Sequence, residues 1–338
     1  MTIHRLSTCF LSLLALSFLS CSSRPSTPNA ASTDQPLSPE WEAVATGTRP
    51  TARHEAAFTR VGDRAYLLGG RGVKPVDILD PAGKTWTQGP ESPVEIHHFQ
   101  PVPVGEEIYL LGAMTGGWPG EPPLPNIYIY DTRSDSWRKG PEIPADRRRG
   151  GAGAVLHEGS IYLVCGIQDG HRSGHVAWLD RYDLETEEWT RLADAPRARD
   201  HFQAAVYDGK IYAAAGRRSQ VENGFSTTIG EVDVYDIATD SWTTLSDTLP
   251  TPRAGNAAAV VDGKILILGG ESGVQEPAHS DVEALDPATG RWTALPPLSR
   301  GRHGTGMVQF GDELYMAAGC GQRGGEPELN DLIGATLR

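Results

Sequence analysis

Short apolar runs separated by polar turns recur along most of the chain. One run reads Ala65-Tyr66-Leu67-Leu68-Gly69-Gly70 and another Lys264-Ile265-Leu266-Ile267-Leu268-Gly269-Gly270. Ahead of such runs stand turns like Asp208-Gly209 and Asp262-Gly263, and ahead of those an Ala/Val-rich stretch. Asp-Gly between apolar runs is a strong hairpin signal, because both turn residues then take positive φ at little cost. Further on, a run ends in Asp, a polar turn follows, and a new run opens with Trp six positions later: Asp80/Trp86, Asp131/Trp137, Asp183/Trp189, Asp236/Trp242 and Asp286/Trp292. A fixed offset of this kind predicts a second hairpin. Each unit therefore supplies four short strands.

The units repeat. Trp41, Trp86, Trp137, Trp189, Trp242 and Trp292 are spaced by 45, 51, 52, 53 and 50 residues, and 46 residues remain after the last. A four-strand unit of about 50 residues is the period of Kelch repeats, and from Trp41 to the C-terminus the chain resembles that family. The small-residue pair closing the second strand is diglycine in the first and fifth units. Elsewhere it reads Gly112-Ala113, Cys165-Gly166, Ala215-Gly216 and Ala318-Gly319, which leaves open how closely the backbones pack at those corners. The resemblance implies an all-β, six-bladed propeller over residues 40–338, with four strands per blade. The last unit, ending near Leu332-Ile333-Gly334-Ala335-Thr336, lacks a Trp strand, and the Trp41 strand at the other end lacks a unit. The N-terminal strand is expected to complete the last blade and remove an exposed sheet edge.

Composition agrees with strands and turns: 39 glycines and 25 prolines among 338 residues, with 39% hydrophobic residues. A net charge of −13 argues against nucleic acid as a partner, since that affinity rests on neutralising phosphates. At the N-terminus, residues 1–20 read as a signal peptide: His4 and Arg5, then an apolar stretch from Leu6 to Leu19, too short for a comfortable membrane span. Ser17-Phe18-Leu19-Ser20-Cys21 resembles the lipobox of bacterial lipoproteins, which implies lipidation of Cys21. An ordinary cleaved signal is the alternative. Residues 21–39, rich in Ser, Thr, Pro and Ala, form a flexible linker. The resulting expectation is a lipid-anchored protein of the bacterial cell envelope, facing periplasm or exterior, with a monomeric propeller. Cys165 and Cys320 fall in opposite units and are expected to be unpaired and buried.

Stepping back 13 residues from the second-strand position held by Tyr66, Tyr109, Tyr162, Tyr212, Leu266 and Tyr315 gives Arg53, Ile96, Arg149, Arg199, Arg253 and Arg302. The next position holds His54, His97, Gly150, Asp200, Ala254 and His303, and the one after it Glu55, His98, Gly151, His201, Gly255 and Gly304. In a propeller these residues open the strand nearest the central channel. Arg53, His54, His97, His98, Arg149, Arg199, His201, Arg253, Arg302 and His303 are therefore candidate ligand-binding residues at one mouth. Converging guanidiniums would attract an anion and grip it through two hydrogen bonds each. The alternative is that each arginine pairs with blade carboxylates or carbonyls and organises loops.

No catalytic set and no cofactor emerge. His171 and His175 have metal-like spacing but lie in Asp169-Gly170-His171-Arg172-Ser173-Gly174-His175, which reads as loop. His54, His97 and His98 lack a Cys or carboxylate set to complete a coordination pattern, so no metal is expected. Trp118, Trp178 and the segments Arg217-Arg218-Ser219-Gln220 and Gly321-Gln322-Arg323-Gly324 are further places for contacts. The functional expectation is a binding module for a glycan or protein, anionic ligands included. The alternatives are a carbohydrate-active enzyme on an acidic sugar, as galactose-oxidase-like and sialic-acid mutarotase-like propellers suggest, or an envelope scaffold. None of the copper ligands or mutarotase residues of those families can be matched here.

Overall fold

In the computed structural model, residues 37–337 are described. Residues 1–20, Cys21 and the linker to residue 36, with the expected export and lipidation features, lie outside the described residues. Six four-stranded antiparallel sheets follow one another around an axis, as the resemblance implies. Blade 1 runs Ala56–Val61, Arg64–Gly69, Pro75–Asp80 and Thr85–Glu91. Blades 2 to 5 repeat this order from first strands Pro101–Val104, Gly153–His157, Ala205–Tyr207 and Ala257–Val261. Blade 6 is Met307–Phe310, Glu313–Ala317 and Leu332–Thr336, and Glu42–Val44 completes it by pairing Ala43 with Ile333. First strands of neighbouring blades pack on one another and line the axis.

The aspartate of each Asp-to-Trp segment is a turn-former. Asp131 Oδ1 accepts from the amides of Arg133 and Ser134, at 2.8 and 3.1 Å, and Asp80, Asp183 and Asp236 repeat the pattern. Such an aspartate replaces the backbone partners that the turn cannot supply. The turn sets register: the tryptophans pair across strands with Leu79, Tyr130, Tyr182, Tyr235 and Leu285. Where the partner is tyrosine, ring centroids lie 5.0–5.1 Å apart, a favourable cross-strand pair.

The core is divided. Six apolar clusters each fill the space between two adjacent blades. Trp41, buried at 6% exposure, belongs to the cluster between blades 5 and 6, so the N-terminal strand contributes core as well as hydrogen bonds. Removing a buried Trp costs about 3–5 kcal/mol. Deleting residues 41–46 is expected to lower the thermal midpoint of the whole body in one transition, as followed by far-UV circular dichroism. An unchanged midpoint would show that the closure contributes nothing.

Candidate functional site at the channel mouth

The arginine column does not face the channel. Arg53, Arg149, Arg199, Arg253 and Arg302 are each 0% exposed, and each is committed inside its own blade. Arg53 bonds Asp77, Arg149 reaches Asp180 at 2.7 Å, Arg199 reaches Asp233 at 2.7 Å, Arg253 bonds Glu283, and Arg302 reaches Asp331 at 3.2 Å. Each guanidinium also donates to the carbonyl of the first residue of the small pair: Gly69, Cys165, Ala215, Gly269 and Ala318. The expected anion funnel of five guanidiniums is therefore corrected to the alternative reading. A buried charge persists only when paired and hydrogen-bonded, and these are.

This explains the small pair. Its first residue is left-handed in all six blades, at φ from 55° for Cys165 to 66° for Gly69. The second has φ between 91° and 120° in blades 3 to 6, and 102° at Gly70. A Cβ on Gly270 would sit 2.9 Å from the Ala254 carbonyl and 3.0 Å from Arg253 Cγ, so the arginine stem requires glycine there. The amides of Gly70, Gly166, Gly216, Gly270 and Gly319 donate to the column carbonyl of the following blade: Ile96, Arg199, Arg253, Arg302 and Arg53. The corner thus joins blade to blade. Blade 2 departs at three places together: Ile96 replaces arginine, Ala113 replaces the second glycine, and Tyr128 stands where other blades have the carboxylate. All three join one apolar cluster.

Two residues beyond the arginine, Glu55, His98, Gly151, His201, Gly255 and Gly304 all have φ of 52–65° and form a closed ring about the axis. The amides of His98, Gly151, His201, Gly255 and Gly304 donate in turn to the carbonyls of Glu55, His98, Gly151, His201 and Gly255. Ala56 closes the circuit by donating to Gly304 at 3.0 Å. Behind the ring, Gln100 and Gln203 span the channel: Gln100 accepts from Ala154 and Ala204, and Gln203 accepts from Ala258 and donates to Thr305. The mouth is a floor, with the loops between second and third strands as its wall.

The expected histidines do gather here. His54 Nδ1 lies 2.8 Å from Glu328, His97 Nε2 is 3.0 Å from the Gly116 carbonyl, and His303 Nε2 is 2.9 Å from the Gln322 carbonyl. Although burial opposes its charge, Glu271 and Glu55 hold His303 up at about 10, an imidazolium between two carboxylates. Glu55, against the same burial, is held down to about 2, chiefly by His303. Burial lowers His97 to about 4.

Sequence reading missed several partners. His171, expected in a surface loop, stands at the turn between Ile167–Asp169 and Ser173–His175, a small hairpin inserted in blade 3, and is buried against Glu121 of blade 2. Arg71 holds Glu121, and Arg217 holds Glu271. These contacts cross blades at sequence separations of about 50 residues, so no local spacing announces them. Trp178 packs under Arg147, 4.1 Å from its guanidinium carbon, whereas Trp118 is exposed. Cys165 and Cys320 are buried and unpaired, and burial pushes the Cys165 thiol up to about 11.

Two predictions follow from these assignments. Arg53→Met leaves Asp77 buried beside fewer donors and is expected to cost about 3 kcal/mol or more by urea denaturation. A loss below about 1 kcal/mol would mean that the pair is dispensable. His303 has its folded pKa raised above the ordinary value of 6.5. Its contribution is complete below that value and is lost as pH climbs through about 10. The thermal midpoint of the wild type should fall more steeply between pH 7 and pH 10 than that of His303→Gln; parallel curves would contradict the imidazolium.

A domain model described as the KLHDC2/KLHL20/DRC7 Kelch-repeats domain matches residues 98–321. Kelch-like protein terF of Aspergillus terreus is 27% identical over 292 residues, covering 79% of this chain and 61% of that protein. Human Kelch-like protein 23 is 25% identical over 298 residues, covering 83% of this chain and 50% of its own length. The chain thus spans only part of the length of these relatives, about three fifths of the first and half of the second. A solved structure titled "Structure of YjhT" superposes with a TM-score of 0.71 at 15% identity, over 85% of this chain and 95% of the other, which supports the fold alone. The closed ring of six sheets, the Trp column and the matched domain lead to one statement: this chain belongs to the Kelch-repeat family.

Proposed function

We propose that the chain is an exported, lipid-tethered recognition module that binds a protein partner on the loop face around its channel mouth. Kelch propellers are typical protein-binding modules, and one observation points to this face. Val73, Trp118, Val221 and Val274 are 50%, 60%, 50% and 83% exposed, and all lie in loops between the second and third strands. A single further large apolar side chain is exposed among the described residues, Tyr207 at 37%, and it lies at the other end of its blade. Exposed apolar groups gathered over one polar floor are what a protein interface presents, an apolar contact region with hydrogen-bonding groups between. An acidic sugar is less well served, because the five column guanidiniums are spent inside the blades.

The binding test uses the soluble body, residues 37–338, with photo-crosslinking in envelope extracts and a parallel glycan panel. Trp118→Asp with Val274→Asp is expected to abolish the crosslinked protein, while Tyr207→Asp preserves it. Equal loss from both variants, or glycan binding with no protein adduct, overturns the reading. The tether is tested in the full chain: Cys21→Ser is expected to move the protein from the membrane to the soluble fraction and to remove the lipid mass from the N-terminal peptide. Unchanged fractionation contradicts it.

A further inference from the structure

Three imidazoles meet over the floor of the mouth. His98 and His201 come from the left-handed ring in blades 2 and 4, and His171 reaches in from the blade 3 hairpin. Ring centroids are 5.2 Å apart for His98 and His171, 4.6 Å for His98 and His201, and 4.6 Å for His171 and His201. All are buried, and one nitrogen of each lies within 4.8 Å of the other two.

The hydrogen bonds around them settle which nitrogen carries the proton. His171 Nδ1 is 2.6 Å from Glu121 Oε2, and His201 Nδ1 is bonded to Asp200 Oδ1, so both donate from Nδ1 to a carboxylate. His97 Nε2 faces the Gly116 carbonyl, which only accepts, so His97 is protonated there and its Nδ1 is bare. His98 Nδ1, 2.6 Å from that bare nitrogen, must be the donor. In its neutral form each imidazole of the triangle keeps its lone pair on Nε2. His201 Nε2 is buried with no hydrogen-bond partner, and His98 Nε2 faces Glu55 Oε2 at 3.4 Å, acceptor against acceptor. A ring nitrogen from each of three buried imidazoles within 4.8 Å of the other two, with His201 Nε2 unpartnered, is an arrangement that a cation can complete.

The backbone adds an independent sign. A ring position at φ near 55° is strain-free for glycine and costs other residues about 1 kcal/mol or more. Blades 3, 5 and 6 use glycine there, whereas blades 1, 2 and 4 carry Glu55, His98 and His201 at φ of 52°, 54° and 55°. Two of these three strained residues are imidazoles of the triangle, and the third, Glu55, sets Oε2 3.4 Å from His98 Nε2. Behind the imidazoles, Glu121 is gripped by Arg71 and Asp200 by Ser219, which fixes ring orientation as carboxylate–histidine–metal relays do.

We propose that His98, His171 and His201 form a three-histidine site for a divalent transition-metal ion of the zinc class, with a fourth position open to water or to an anionic group of a ligand. Neutral imidazole nitrogens suit such ions. Bringing the nitrogens to tetrahedral spacing around Zn²⁺ at about 2.0–2.1 Å requires each to move by no more than about 1 Å. The carboxylate of Glu55 lies alongside and offsets the charge of the ion. This site stands independently of any protein partner.

The test uses protein stripped with a chelator, titrated with Zn²⁺ by calorimetry and with Co²⁺ by visible spectroscopy. One equivalent is expected to bind, with tetrahedral Co²⁺ absorption and a raised thermal midpoint. His98→Gly and His201→Gly retain the fold, because glycine relieves the left-handed strain, and are expected to weaken binding at least 100-fold and erase the Co²⁺ bands. His171→Ala should do the same, while His157→Ala, outside the mouth, leaves binding intact. No binding by the folded wild type, or binding unchanged in the glycine variants, overturns the proposal.

Discussion

The structure depends on one repeated interaction: in five of the six blades an arginine buried at the start of the first strand is clasped by a carboxylate on the third strand and by carbonyls at the end of the second. That clasp holds three strands of one blade at a single corner. Its own backbone carbonyl receives the glycine amide of the preceding blade, so the corner also sets the angle between blades. A buried ion pair is weak evidence of net stabilisation, since desolvation opposes the Coulombic gain. Here its role is geometric: the guanidinium fork satisfies several acceptors that no apolar side chain could serve. Blade 2 shows the other solution, in which Ile96, Ala113 and Tyr128 fill the same corner with apolar volume.

Because the corners are fixed by side chains that point into the blades, the residues immediately after them are free to serve the mouth. The ring of Glu55, His98, Gly151, His201, Gly255 and Gly304 is anchored by its backbone hydrogen bonds, which any residue could make. Identity at these positions is therefore limited by the left-handed φ, which favours glycine, and not by the hydrogen bonds. Gly304 is an exception, since a Cβ there would meet the Glu55 amide nitrogen at 2.6 Å. Where the chain places glutamate and histidine in a conformation suited to glycine, the explanation lies in what those side chains face. Loops from neighbouring blades then complete the surroundings, and their apolar tips form the outer rim.

Much of the architecture was legible because its signals are local. The Asp-to-Trp offset reports a turn capped by its own first residue, and the Asp-Gly pairs report hairpins. The orphan Trp41 strand and the Trp-less last unit imply closure by counting alone. The site was legible in part. Column alignment placed His98 and His201 on one ring, but it also promoted the arginines, because position in a repeat says where a Cα lies and not which way a side chain turns. The carboxylates that claim the guanidiniums, Asp77, Asp180, Asp233 and Glu283, each stand three residues before a turn aspartate, a periodic signal available in the sequence. His171 had no such signal. It arrives by an insertion in one blade and finds Glu121 across a blade boundary.

The central claim is that the arginine corner is a structural unit whose members depend on one another. The most direct measurement is a double-mutant cycle in blade 5, using urea denaturation of Arg253→Ile, Glu283→Tyr and the pair, which imports the residues of blade 2. The account expects either single change to be costly and the pair to be less destabilised than the sum by about 2 kcal/mol or more. Losses that simply add would contradict it.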